Sequence, residues 1–174
     1  MVNPDHVVQP AAGFAPDLGA ALWMLDDTRA RTLRAIDGLL PSDVDAIPIG
    51  GGNTIGALLY HVAAVERDWL YADILERPAP EWAEALFPRD VREENGRLTS
   101  VRGIALDEHL ARLGTVRQHL HQDLAGFGSE EFRRPRAVRN GGGTPEWILH
   151  HLREHEAEHR GQLQEIRTLL RQGR

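Results

Sequence analysis

The stretch PEWILHHLREHEAEHRGQLQEIRTLLR, residues 145–171, reads as one long amphipathic helix. At about 3.6 residues per turn, Ile148, Leu152, His155, His159, Leu163 and Ile166 fall on one side. Thr144 offers a side-chain cap and Pro145 occupies the first helical position, where its missing N–H costs nothing. His155 and His159 therefore stand in the middle of a stripe expected to face the core. A buried imidazole needs a partner for its nitrogens, and the same stripe supplies no carboxylate. Two histidines four residues apart point the same way and can share one metal ion, which satisfies both.

Working back along the chain, the same period recurs. Leu22, Leu25, Leu33, Ile36 and Leu40 mark a first helix over about 18–39, closed by Pro41-Ser42-Asp43. Gly50-Gly51-Gly52 stops the chain, and Asn53 or Thr54 caps a second helix reaching about Leu75. Its buried side carries Ile55, Leu58, Leu59, Val62, Val65, Trp69 and Leu70. Asp107 opens a third helix to about Ala125, striped by Leu110, Leu113, Val116, Leu120 and Leu124. Between the second and third helices lie Pro78, Pro80, Pro88, Gly96 and Gly103, with a short helical piece at 82–87. A connection of that length can recross a bundle and lets the flanking helices run parallel. Alternation of period two is nowhere sustained, so the expected fold is all-α, one domain over 17–174 behind an irregular lead-in at 1–16.

Composition narrows the function. The chain has 174 residues, 41% of them hydrophobic, and a formal charge of −6. No basic run interleaved with aromatics appears, so a nucleic-acid partner is not expected. No signal-like leader and no membrane-length apolar run is present, which sets a cytoplasmic expectation with no membrane partner. There is no cysteine, so any metal is held by imidazole, carboxylate or water, and any thiol chemistry needs a thiol from outside. All 20 basic residues are arginine, which excludes a Schiff-base lysine.

His61 is the best third ligand, one turn after Leu58 and one before Val65 at the edge of the second helix's apolar face. His151, one turn before His155, is a fourth ligand or an outer partner. His150, His109, His119 and His121 read as surface residues, and His6 as part of an unstructured end. The letters His155-Glu156-Ala157-Glu158-His159 match the H-E-x-x-H pattern of zinc proteases. A zinc protease is nonetheless not expected, because Gln162 and Glu165 stand where that pattern has its glycine and third histidine, and the residues after His159 offer no later ligand helix. Glu156 and Glu66 are left as candidate general bases, and Gln162 as a group able to bond a ligand one turn beyond His159.

Two blocks carry a family resemblance. Asn53 to Trp69 (NTIGALLYHVAAVERDW) resembles the second-helix signature of the DinB-like metalloprotein superfamily, and Glu154 to Leu163 (EHEAEHRGQL) its fourth-helix signature. The resemblance implies a four-helix bundle of up-down-down-up order, a metal triad at His61, His155 and His159, and homodimers. Relatives include bacillithiol- and mycothiol-dependent S-transferases and mycothiol-dependent isomerases. A divalent transition metal, zinc or nickel, with a low-molecular-weight thiol cosubstrate follows as expectation. The implied function is a transferase or hydrolase acting on a small electrophile, with Glu156 and Gln162 as candidate catalytic residues. A non-catalytic metal-binding or stress-related bundle is the alternative. The sequence departs from the family at Ala57, where tryptophan is frequent, which reshapes the space near the metal.

Overall fold

The computed structural model describes residues 7–137 and 142–173, so His6 and Gly141 lie outside the described residues. Four long helices are joined by three short ones: α1 Pro16–Ile36, α2 Pro41–Val44, α3 Ile55–Asp68, α4 Glu81–Leu86, α5 Leu106–Leu124, α6 Ser129–Arg133 and α7 Pro145–Gln172. The chain is all-α as expected; among the described residues the only β pairing is two isolated bridges, Arg92 with Leu98 and Arg136 with Gly143. α1 packs along α7, α3 along α5, and α3 also crosses onto α7.

The boundaries follow from local chemistry. Thr54 and Thr144 each accept a hydrogen bond from the backbone N–H three residues on, at Ala57 and Trp147, satisfying donors that a helix start leaves orphaned. α3 is buried on almost every side, as expected of a helix apolar all round. Beyond Asp68 it widens into a π-helical turn, Trp69–Ile74, where the Leu75 N–H donates to the Leu70 carbonyl. α2 and α6 are additions to the sequence reading, each too short for periodicity to reveal.

The core has two apolar clusters. One gathers Leu18, Leu22, Leu25, Leu70, Ile74, Leu120, Leu124, Phe132 and Leu152. The other gathers Ile36, Ile55, Leu58, Val62, Leu113, Val116, Leu163 and Ile166. Each long helix passes through both, and each places one charged residue between them: Arg29 on α1, Glu66 on α3, Arg117 on α5 and Glu156 on α7. Arg29 Nη2 and Nε donate to Glu66 (2.7 Å) and Glu156 (2.8 Å). Arg117 donates to Glu66 at 2.7 and 3.0 Å and to Glu156 at 3.4 Å. The four buried charges balance, Arg117 also donates to partly exposed Asp26 at 2.8 Å, and each arginine donates to a main-chain carbonyl, Leu113 for Arg29 and Leu25 for Arg117. Such saturation is what makes buried charge tolerable.

This layer corrects the α1 stripe. Leu33 and Leu40 are 40% and 50% exposed, and the buried face carries Arg29 and Thr32 instead. A pattern built on apolar letters passes over buried charge whose partners lie far away in sequence.

Candidate metal centre

His61 enters the site from the middle of α3 and is buried, 2% exposed. His155 and His159 enter from successive turns of α7 and are half-buried, on the edge of its inner face. His155 Nε2 stands 3.1 Å from His61 Nε2 and 3.1 Å from His159 Nε2. The three ligand atoms lie within 4.8 Å of one another, and this group can hold a metal ion.

Hydrogen bonding alone serves these atoms poorly. Each neutral imidazole nitrogen is either a donor or an acceptor, so His155 Nε2 would have to divide one proton or one lone pair between two neighbours. Lone pairs converging on one ion resolve the conflict. Nitrogens about 2.0–2.1 Å from a tetrahedral ion stand about 3.3 Å apart, close to the spacing found. The residues present therefore fit a three-imidazole site.

Protonation favours the same reading. Burial pushes His61 down to about 4, reinforced by His159 and Arg92. Burial likewise takes His155 down to about 3, with His159, His61, His151 and Arg92 adding to it. His159 is lowered by burial, against a bond to Gln162 that works the other way. The rings are thus neutral near pH 7, with lone pairs free. His159 Nδ1–H donates to Gln162 Oε1 at 3.0 Å, which fixes the tautomer and turns Nε2 inward. His61 Nδ1 faces the Val91 main chain without a well-formed hydrogen bond.

His151 is not part of the group. It stacks on Trp147, ring centroids 5.4 Å apart and planes 2° apart, beside Trp69. His150 is exposed as expected. His109 is a correction: read as a surface residue, it is fully buried, with Arg112 Nη1 3.3 Å from its Nδ1 and Nε2 unpartnered. His119 is half-buried, stacked on Trp82 at 3.9 Å, and His121 lies 3.1 Å from Asp26.

The candidate bases are not brought to the site as free groups. Glu156 is 2% exposed and held by Arg29 and Arg117, rather than solvated. Glu66 shares both arginines; burial raises its pKa, but Arg117 and Arg29 outweigh that and leave it lowered. Gln162 is exposed and touches His159.

Sequence reasoning missed Arg92. It lies in the connection between α4 and α5, where its guanidinium is close enough to depress all three histidines. Its backbone pairs with Leu98, and Nη1 donates to the Gly96 carbonyl at 2.9 Å. An arginine in an irregular loop carries no periodicity to give it away.

A family model described as the DinB superfamily matches residues 24–163, which takes in all three histidines. No curated protein matches the sequence. With most of its length under that match and a three-histidine group where the resemblance expects one, the chain belongs to the DinB superfamily.

Proposed function

We propose that this protein is a metal-dependent enzyme, a thiol S-transferase or a hydrolase, acting on a small electrophilic molecule at His61, His155 and His159. The observation that carries the reading is the position of His151. A structural zinc site is closed by four protein ligands, whereas a catalytic one keeps a position open. His151 is stacked on Trp147 instead of completing the set, so three imidazoles leave room for a reactant. Imidazole ligands suit zinc and nickel alike. Either ion, when bound, supplies Lewis acidity that lowers the pKa of a thiol or water.

This chain's own residues divide the remaining work. Gln162 orients His159, and Glu156, next in sequence to His155, anchors that turn of α7 to α1 and α5. We read both as positioning residues. With Glu66 and Glu156 engaged by arginines, a thiol cosubstrate asks less of the protein than a water needing a general base. The same engagement favours the second reading, a non-catalytic metal-binding bundle.

The helix order we take to be up-down-down-up. In its support, α1 and α7 run from the first apolar cluster to the second, while α3 and α5 run the other way. A homodimer in the cytoplasm remains part of the proposal; no helix among the described residues is long and apolar enough to cross a membrane. The functional test is a screen of low-molecular-weight thiols against electrophiles with the zinc- and nickel-loaded protein. Turnover that vanishes in His155→Ala supports the enzyme. Stoichiometric metal uptake with no turnover for any pair supports the second reading.

A further inference from the structure

A cavity of about 350 Å³ opens between the start of α3 and the connection leading to α5. Gly51, Gly52, Asn53, Thr54 and Ala57 form one wall; Glu93, Arg97, Leu98, Ser100 and Arg102 belong to the other. Gly50, Gly51 and Gly52 have φ of +89°, +85° and +120°, a backbone that side chains other than glycine rarely adopt. The rim is therefore bare main chain. A neighbouring cavity of about 280 Å³ shares Gly51, Gly52 and Asn53 and extends to Gln162, the partner of His159.

Neither cavity is lined by the three histidines, yet both are tied to them. Ala57 precedes His61 by one helical turn, about 6 Å along α3. Leu98 pairs with Arg92, whose charge bears on all three rings. The second wall and the segment whose Val91 main chain faces His61 are thus one loop.

The charges in this cavity are unbalanced. Among the described residues, Arg97 bonds through its backbone N–H, to Asn95 Oδ1, and the side chains of Arg97 and Arg102 make no hydrogen bond or ion pair. The one carboxylate present, Glu93, is occupied by Asn95 Nδ2 and the Ser100 N–H, both at 3.3 Å. Arginine's planar fork matches carboxylate and phosphate oxygens in pairs, and an unpaired arginine in a concavity is suited to such a group.

We propose that the small molecule served by the three-histidine site is an anion, and that its carboxylate or phosphate group is held in this cavity by Arg97 and Arg102 while its other end reaches His61. The proposal rests on the metal-site reading and adds the substrate class. Arg97 and Arg102 are binding residues with no part in holding the metal.

The test is isothermal titration of the zinc-loaded protein with succinate and, separately, inorganic phosphate. The comparison proteins are Arg97→Ala/Arg102→Ala, the charge reversal Arg97→Glu/Arg102→Glu, and His61→Ala. Wild type is expected to bind one of the two anions, and which one assigns the carboxylate or the phosphate. Affinity should fall about tenfold or more in the alanine pair and further in the reversal, with zinc uptake unchanged. No binding of either anion by wild type, or equal binding in the alanine pair, overturns the proposal. His61→Ala separates the two ideas: it should lose zinc and keep anion binding. Wild-type protein that binds anion but takes up no zinc would sink the metal reading, and with it the assignment of this cavity as that centre's substrate pocket. Both arginines are exposed, so misfolding is not expected to mask the result; circular dichroism checks it.

Discussion

At His159 one hydrogen bond decides which nitrogen faces inward. Because Nδ1–H donates to Gln162 Oε1, Gln162→Ala should weaken zinc binding about 10–100-fold while leaving one ion per chain, read by competition with a chromogenic chelator. Unchanged affinity would mean the ring is held by packing alone. His109 offers a second test away from the three-histidine group. Burial, with Arg112 beside it, pushes His109 down to about 4 from an ordinary 6.5. A folded-state pKa below the unfolded one means that the unfolded chain takes up the proton first. The stabilisation is therefore present above about pH 6.5 and fades as pH falls toward 4, on the order of 3 kcal/mol in all. His109→Gln should have a flatter urea midpoint over that window than wild type. Parallel profiles would contradict the burial argument. Gly56 is the counterpart: a Cβ there would stand 3.1 Å from His109 Nε2 and 3.2 Å from Val44, so Gly56 lets α3 approach α5 closely.

The helices themselves were legible in the sequence wherever period and caps agreed. Thr144-Pro145 starts α7 and Thr54 starts α3 where the cap rules place them. The charged layer was not legible, because Arg29, Glu66, Arg117 and Glu156 look like polar interruptions until the four helices are brought together. Its energetics give the prediction at this scale. Arg29→Met leaves buried Glu66 and Glu156 to share Arg117, which Asp26 also engages, and should cost about 3–5 kcal/mol by urea unfolding. Arg29→Met with Glu156→Leu restores the balance of buried charge, Glu66 with Arg117, and should cost clearly less. A double variant as unstable as the sum of its singles would mean that the four charges do not act as one layer.

For the molecule as a whole, the helical fold and the three-histidine group were readable for the same reason: both rest on residues spaced along helices. His61, His155 and His159 belong to helical patterns, whereas Arg92, Arg97 and Arg102 sit in the irregular connection between α4 and α5. Only tertiary structure brings that connection to the start of α3. The site joins α3 to α7, so an ion bound there should stabilise the entire fold. Zinc at 100 times its dissociation constant adds about 2.7 kcal/mol, a rise in Tm of roughly 5–10 °C for a chain of this size, which His61→Ala should abolish. The central claim is that His61, His155 and His159 hold one transition-metal ion, and its most direct test is the metal content of purified protein, prepared without chelator, beside His155→Ala. The account predicts about one equivalent of zinc or nickel per wild-type chain and none in the variant. Wild-type protein that arrives metal-free and takes up neither ion on titration would contradict it.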